Sequence, residues 1–328
     1  QDSDYQAPAG DALLRGREWA ERYLIPLSQS DLLIDTLRTG RRVIAVGRRG
    51  RLKSQLDSDR DEQPFRVLSC DAGGREFETD ADVVIDTTGV FSQPNWMGPG
   101  GTPALGERQW RHRVAYRLPD VLGEDRSRYA GRHTLLVGNG YSAATTLVDL
   151  AELARQEAAT RVTWITRAEA GERSGGPIRR LADDRLTSRD DLAAAANDLA
   201  ASPPPGWEYR PETTVESLRL TGEEGEEEGW EVTLGGRHGG PVRFDRIVAH
   251  VGYRPDLEMI RELQVHTCYA SEGPMNLAAR LLGEAWADCL NAPAPEADLL
   301  RNPEPDFYLL GSKSYGRNSN FLFATGLA

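Results

Sequence analysis

Apolar residues in the middle of the chain form two short runs that flank a helical pattern. Residues 134–137 and 161–167 have the length of buried parallel strands. Between them, apolar side chains recur at helical spacing up to about residue 159. One helical face is expected to carry Leu147, Val148, Ala151, Ala154 and Ala158. The pattern predicts a strand, a turn, a helix and a second parallel strand.

The turn between the first strand and the helix is rich in small residues. Gly138-Asn139-Gly140-Tyr141-Ser142-Ala143 fits the G-x-G-x-x-G/A pattern of dinucleotide-binding turns, in the strand and helix context that this pattern requires. Gly138 permits a tight turn, Gly140 lets a diphosphate approach the backbone, and Ala143 keeps the helix close to the sheet. The free N–H groups of the helix amino terminus favour phosphate. The turn therefore predicts dinucleotide binding, and the alternative is a chance glycine turn in an ordinary βαβ unit.

The end of the second strand bears on the choice of dinucleotide. An acidic residue there usually binds a free ribose hydroxyl, whereas arginine suits a 2′-phosphate. This sequence has Arg167, followed by Arg173, Arg179 and Arg180. NADPH is thus favoured over NADH, and the alternative is that Arg167 is one of many surface arginines.

The remaining pattern predicts further strands and helices on both sides of this unit. A strand is predicted at 42–47, a hairpin at 63–70 and 75–79, and a strand at 81–89 that ends in Thr87, Thr88 and Gly89. A second hairpin pairs 215–220 with 230–234, and one strand covers 244–251. A last strand at 307–310 precedes Gly311 and Ser312. Helices are predicted at 11–25, 30–38 and 190–201 and within 271–290.

Composition narrows the classes of function. A length of 328 residues suits two domains, and the net charge of −12 argues against nucleic acid or an anionic membrane as a partner. Apolar runs fall short of the roughly 18 residues of a membrane span. Three widely separated cysteines indicate neither a disulfide scaffold nor a cysteine metal site, and we expect no metal. These features predict a soluble, cytoplasmic protein.

The order of these motifs resembles that of a known superfamily. Thr87-Thr88-Gly89 looks like its "ATG" turn, residues 138–143 look like its second nucleotide turn, and residues 247–256 resemble the segment that returns to its first domain. The chain is similar to flavoproteins with two dinucleotide-binding domains, the flavin-containing monooxygenase and pyridine nucleotide-disulfide oxidoreductase superfamily.

This resemblance implies an α/β fold with two three-layer, Rossmann-like domains. An NADP(H)-binding domain at 130–251 would be inserted into an FAD domain split between 1–129 and 252–328. The resemblance places Val46 near the FAD adenine, Thr87 to Gly89 at the junction of FAD and the domains, and Gly311 with Ser312 beside the FAD phosphates. NADPH would be held by Gly138, Asn139, Gly140, Tyr141, Ser142, Ala143 and Arg167.

Three departures from the superfamily pattern stand out. A G-x-G-x-x-G turn for FAD is missing before Thr87, which predicts that the sequence is a fragment lacking that amino-terminal turn. Ser312 replaces an acidic residue that often follows the terminal glycine. His112 and Tyr116 match only half of a monooxygenase signature.

The resemblance implies an FAD-dependent oxidoreductase that takes hydride from NADPH and acts on a small-molecule substrate or electron acceptor. Oxygenation of a nitrogen or sulfur nucleophile is one such reaction. The cofactors carry the chemistry, and the catalytic residues stay undefined. A disulfide reductase is less favoured because the sequence contains no C-x-x-C pair. The alternatives are a non-catalytic NADP(H)-binding module or redox sensor, and a dehydrogenase without flavin.

Overall fold

The chain forms two compact units. The computed structural model describes residues 5–9, 14–56, 59–168, 176–182, 184–222, 228–237, 239–282 and 296–318. The first unit contains residues 1–84 and 257–263, and the second contains residues 85–256 and 264–328. The predicted domains at 1–129, 130–251 and 252–328 stay a prediction.

The first unit contains a three-stranded antiparallel sheet. Its strands, in spatial order, are β1 (Arg42–Arg48), β2 (Phe65–Cys70) and β3 (Glu76–Ala81). Asp71 closes the β2–β3 turn, because its Oδ1 accepts the N–H groups of Gly73 at 2.9 Å and Arg75 at 3.0 Å. The predicted hairpin is therefore confirmed.

The amino-terminal helical segment differs from the prediction. It runs through α1 (Gly16–Trp19), a π-helical turn (Ala20–Leu24) and α2 (Ile25–Ser28), so Pro26 does not interrupt it. Pro26 cannot donate to the Arg22 carbonyl one turn earlier, and that carbonyl accepts the Tyr5 hydroxyl at 3.1 Å instead. The helix predicted at 30–38 is wrong, because residues 31–36 form turns.

The second unit contains most of the regular structure. Its strands are β4 (Val84–Asp86, beginning at the unit boundary), β5 (His133–Val137), β6 (Arg161–Ile165), β7 (Glu208–Arg210), β8 (Thr213–Thr221), β9 (Gly229–Gly236), β10 (Gly240–Phe244), β11 (Arg246–Ala249) and β12 (Phe307–Leu309). Its helices are α3 (Glu107–Trp110), α4 (Arg126–Tyr129), α5 (Tyr141–Gln156), α6 (Thr187–Ala201) and α7 (Met275–Leu282).

A parallel sheet with the order β11-β5-β6-β7 forms the middle layer of this unit. Side chains on adjacent positions of β5 point to opposite faces. Leu136 packs in one core cluster with residues of α5 and α6, whereas Leu135 packs with the antiparallel sheet β10-β9-β8. The predicted βαβ unit and the 215–234 hairpin are confirmed, within an α/β fold that has three layers here.

The buried face of α5 differs from the predicted one. Its buried residues are Ala143, Ala144, Thr146, Leu147, Leu150 and Leu153. Of the predicted face, Leu147 is buried, Val148, Ala151 and Ala154 are partly buried, and Ala158 lies beyond the helix and is exposed. Alanine gives little information on burial, and Leu150 and Leu153 fix the face.

The predicted strand 244–251 is two strands in two sheets. β10 ends at Phe244 in the antiparallel sheet, and β11 begins at Arg246 in the parallel sheet. Asp245 makes the change of sheet. Its N–H donates to the carbonyl of His133 at 2.8 Å, and its carboxylate accepts the His133 N–H at 2.7 Å.

The short strands β4 and β12 pair with each other, and the Leu310 N–H donates to the Asp86 carbonyl at 3.0 Å. The strand predicted at 81–89 is thus limited to 84–86. The helix predicted within 271–290 is observed as α7, and residues 283–290 lie outside the described part of the chain. Across the described ranges, no helix combines the length and hydropathy needed to cross a membrane.

Candidate functional site

The predicted dinucleotide turn lies at the carboxyl edge of the parallel sheet, between β5 and α5. Gly138 has a φ of +126°, and a Cβ there would lie 2.2 Å from the carbonyl oxygen of His250. The Gly138 N–H donates to Ile165 at 3.1 Å, and its carbonyl accepts the indole N–H of Trp164 at 2.7 Å. The protein itself therefore requires glycine at position 138.

Gly140 differs from Gly138 in what surrounds it. Its φ of −94° and ψ of 175° are open to any L-residue, and a Cβ would meet no atom within 4 Å. No contact among the described residues demands glycine here. The missing side chain leaves free space directly above the start of α5, which fits the close approach of a diphosphate.

The amino terminus of α5 is suited to bind an anion. Its N-cap, Gly140, provides no side-chain cap, and the first turn contains no acidic residue. The partial positive charge of the helix start is therefore not offset by a carboxylate of its own turn. Asn139 is partly buried, Tyr141 and Ser142 are exposed, and Ala143 is buried against the sheet. The six predicted residues thus form one turn, of which Gly140, Tyr141 and Ser142 are exposed to solvent.

An arginine-rich segment lies beside this turn. The Tyr141 hydroxyl donates to the Arg179 carbonyl at 3.2 Å. The segment is fixed by Asn197 of α6, whose side chain accepts the Ile178 N–H at 2.8 Å and donates to the Ile178 carbonyl at 2.9 Å. Arg180 forms two hydrogen bonds to Asp190, at 2.8 and 2.7 Å. Arg179 is exposed close to the helix start.

Arg167 follows β6, where a dinucleotide's ribose is expected. Its side chain is exposed, whereas the preceding Thr166 is buried and its hydroxyl bonds to the Tyr209 hydroxyl at 2.9 Å. The Thr213 N–H also donates to the Thr166 carbonyl at 2.9 Å, which fixes the backbone beside Arg167. Arg173 lies outside the described residues. The role of Arg167 in nucleotide binding stays a prediction.

The positions that the resemblance assigned to flavin come together in part. Thr87, Thr88 and Gly89 follow β4, and Gly311 and Ser312 follow β12, its partner strand. Gly89 has a φ of +70°, and a Cβ there would lie 3.4 Å from the Ser312 hydroxyl oxygen. Gly311 has a φ of +68° and open space above it. The two turns therefore form one small-residue surface that a ligand can approach closely.

A buried ion pair that sequence reasoning missed joins these turns. The Lys313 ammonium lies 2.6 Å from the Asp86 carboxylate, and both side chains are 1% exposed. Lys313 also donates to the Thr88 hydroxyl at 3.0 Å, and Asp86 accepts the N–H of Thr88 at 3.0 Å and its hydroxyl at 2.7 Å. Ser312 stands where an acidic residue is expected, and the carboxylate of this corner comes from Asp86. The signal in the sequence was that Lys313 is one of only two lysines.

Val46 lies in the first unit, on β1. It is 4% exposed and pairs with Val67 of β2. Its assignment to the FAD adenine stays a prediction.

His250, which lies beside the turn 138–143, is another residue that the sequence did not indicate. Its ring bonds to the Thr146 hydroxyl of α5 at 2.8 Å, and its carbonyl faces Gly138. Burial lowers the pKa of His250 to about 4, so the ring is neutral near pH 7. His250 therefore joins β11, α5 and the turn without adding charge to the site.

Tyr116 of the partial monooxygenase signature is a packing residue. Its hydroxyl donates to Glu107 at 2.6 Å, and Glu107 also accepts the N–H groups of Met97 at 3.0 Å and Ala104 at 2.8 Å. Burial raises the pKa of Tyr116, and the bond to Glu107 adds to this effect. The side chain is thus committed to holding the loop 97–116 together.

The fold matches solved structures of flavoprotein oxidoreductases. A bacillithiol disulfide reductase from Bacillus cereus is 16% identical with a TM-score of 0.64, and the match covers 96% of this chain and 77% of that one. A cadaverine monooxygenase of desferrioxamine biosynthesis from Erwinia amylovora, bound to FAD, is 15% identical with a TM-score of 0.52, covering 92% and 72%. The thioredoxin reductase of T. acidophilum is 15% identical with a TM-score of 0.51, covering 88% and 69%.

No protein-family model and no curated protein sequence matches the chain. At these identities the likeness is one of fold. The superfamily resemblance inferred from the motifs is confirmed at that level: the chain shares its fold with a disulfide reductase and a thioredoxin reductase.

Proposed function

We propose that this chain, with the fold of the two-dinucleotide flavoproteins, is an FAD-dependent oxidoreductase that takes hydride from NADPH. The observation that carries the proposal is Gly140. No protein contact requires glycine there, and the space above it opens onto an uncapped helix start. The solved structures of similar fold are named as reductases and monooxygenases, and one of them is bound to FAD.

The residues of the turn 138–143 hold the NADPH diphosphate in this proposal. Backbone N–H groups at the start of α5 bind the phosphate oxygens, and Gly138 keeps the turn against β11. Arg167 binds the 2′-phosphate, since its guanidinium is exposed at the end of β6. Exposed Arg179, whose carbonyl accepts the Tyr141 hydroxyl, supplies further positive charge beside the turn.

The flavin is assigned to the surface formed by Thr87–Gly89 and Gly311–Ser312. Lys313 and Asp86 fix the two turns from below, so that both backbones stay in position for the ligand. When bound, NADPH and FAD supply the hydride transfer and the later redox chemistry. The protein's part is to orient both nucleotides and to exclude water.

We propose oxygenation of a nitrogen or sulfur nucleophile as the reaction that follows. The lack of a C-x-x-C pair in the sequence supports this reaction over disulfide reduction, whereas the solved structures of similar fold include both a disulfide reductase and a monooxygenase. Cys70 and Cys268, the cysteines within the described residues, are both free.

The test is an absorbance spectrum of the full-length protein purified from cells. Flavin bands near about 370 and 450 nm should bleach when NADPH is added anaerobically, because bound flavin accepts the hydride. A colourless protein that binds NADPH without oxidising it would instead support the non-catalytic NADP(H)-binding module or redox sensor.

Site variants connect this test to the structure. Gly140→Asp should abolish NADPH binding, because its carboxylate would occupy the diphosphate position.

Arg167→Gln should weaken the binding of NADPH by about tenfold or more and leave the binding of NADH nearly unchanged, since only NADPH loses a charge-assisted bond. An exposed arginine on the far end of α5, Arg155, provides the matched control as Arg155→Gln. Equal losses for both nucleotides in Arg167→Gln would contradict the assignment.

A further inference from the structure

A cavity lies at the edge of the parallel sheet opposite to the turn 138–143. Its volume is about 850 Å³, and its lining includes Arg132, just before β5, and Arg246, the first residue of β11. Gly138 follows the other end of β5, so the two edges are separated by roughly 17 Å, at about 3.3 Å per strand residue. Nucleotides of such folds bind at the carboxyl edge, and this cavity is at the amino edge.

The cavity concentrates positive charge in a chain that is acidic as a whole. Its lining includes Arg111, Arg113, Arg117, Arg128, Arg132 and Arg246. Two carboxylates, Asp125 and Glu228, also line it. Asp125 bonds to Arg128 at 3.2 Å, and Glu228 pairs with Arg113. The chain has a net charge of −12, whereas this lining has six arginines and two carboxylates and is therefore locally positive.

Arg246 is held in the wall by backbone groups. Its Nε donates to the Arg128 carbonyl at 3.0 Å and its Nη1 to the Asp245 carbonyl at 2.7 Å. In the part of the chain that the structure describes, it has no ion pair with a carboxylate. Burial lowers the pKa of Arg246 and repulsion from Arg132 lowers it further; attraction to Asp245 opposes this, and a weaker repulsion from Arg128 adds to it. An anion between these groups would relieve that repulsion.

The cavity also has an aromatic and rigid wall. Trp230 and Tyr129 are buried, and they line the cavity together with the apolar Leu118 and Leu220. Arg111 lies over the Trp96 ring at 4.3 Å and donates to the Pro94 carbonyl at 3.0 Å, so its position is fixed before any ligand arrives. Such a combination of apolar wall and a few fixed polar groups is typical of small-molecule sites.

We propose that this cavity binds a small organic anion that carries two or more phosphate or carboxylate groups. Arg246 and Arg128 bind the anionic groups, since their planar guanidinium groups match the geometry of carboxylate and phosphate. Trp230 and Leu118 contact the apolar part of the ligand. The site is separate from the dinucleotide turn, and it does not depend on the redox function proposed above.

The test is calorimetric titration with pyrophosphate and, separately, with citrate, using the Gly140→Asp protein so that the dinucleotide turn is blocked. We expect saturable binding of one anion per chain, and the stronger of the two probes identifies the ligand as a phosphate or a carboxylate. Arg246→Gln and Arg128→Gln should each weaken binding by about tenfold or more, because each removes a charge-assisted hydrogen bond.

Arg126→Gln is the matched control, because Arg126 lies on the same short helix and bonds to Gln156 at 3.1 Å instead. It should change the affinity by less than about twofold. Arg128 is largely exposed, so Arg128→Gln tests the site even if Arg246→Gln impairs folding. Absence of saturable binding for both probes, loss of wild-type binding in Gly140→Asp, or an equal effect of Arg126→Gln would overturn the proposal.

Discussion

At the scale of single residues, Gly138 and Gly140 of one turn have different surroundings, and we expect them to have different roles. Gly138 is required by the fold, because its φ is +126° and the His250 carbonyl occupies the place of a side chain. Gly140 has an ordinary conformation and open space around it. Stability and binding should therefore respond to different positions of the same motif.

Substitution of these glycines by alanine tests that distinction. Gly138→Ala should lower the free energy of unfolding by at least about 2 kcal/mol, because the new Cβ meets backbone and the φ is strained. Gly140→Ala should change it by less than about 0.5 kcal/mol while weakening NADPH binding. Urea unfolding and fluorescence titration measure the two effects. Equal stability of both variants would show that the turn is packed differently.

His250 gives the fold a dependence on pH. Its pKa is lowered from 6.5 to about 4 by burial, so the unfolded chain takes up a proton near pH 6.5 that the folded chain does not accept. The free energy of unfolding therefore falls as the pH drops from about 6.5 towards 4, by about 2 kcal/mol at pH 5 from this group alone. Above pH 6.5 the effect is absent.

The variant His250→Gln isolates this contribution. The wild-type protein should exceed the variant in stability at pH 7.5, and the difference should shrink by about 2 kcal/mol at pH 5. Carboxylates titrate in both proteins, and their effects cancel in the difference. Urea unfolding at the two pH values measures it, and a difference that stays constant would contradict the buried, neutral ring.

At the scale of elements, the pairing of β4 with β12 depends on a buried charge pair. Asp86 ends one strand and Lys313 follows the other, with Thr88 completing the network. Burial of two charges has a high desolvation cost, and it is tolerated because each charge has a partner. The pair therefore specifies how these two strand ends meet.

Removal of one charge should lower the free energy of unfolding more than removal of both. Lys313→Met leaves the Asp86 carboxylate buried without its cation and should lower the free energy of unfolding by about 3–5 kcal/mol. Asp86→Asn combined with Lys313→Met should recover part of that loss. Chemical unfolding of the single and double variants gives the coupling energy, and simple additivity would argue against a coupled pair.

At the scale of the whole molecule, local patterns were predictable from the sequence and distant pairings were not. The βαβ unit and both hairpins follow from hydrophobic periodicity and turn residues, because both signals come from residues that are close together in the sequence. Asp86 and Lys313 are 227 positions apart, and nothing local marks them as partners. The face of α5 was misplaced because alanines dominate the pattern, whereas Leu150 and Leu153 determine the packing.

Ligand binding should be visible in the stability of the whole chain. A nucleotide that binds only the folded state adds about 2.7 kcal/mol at about 100 times its Kd. For a chain of this size we expect NADPH to raise the Tm by roughly 5 °C. The Gly140→Asp protein should show no rise. A thermal scan with and without NADPH measures this, and a rise in that variant would place the nucleotide elsewhere.

The change of sheet at Asp245 has a mechanical implication. Asp245 is the only residue between β10 and β11, and the residue that follows β11 is His250, whose carbonyl lies against Gly138. An insertion of one residue at this point would turn every side chain of β11 to the opposite face and move the His250 carbonyl away from the turn 138–143. Length variation in evolution should therefore be tolerated in the hairpin tips and forbidden at this junction.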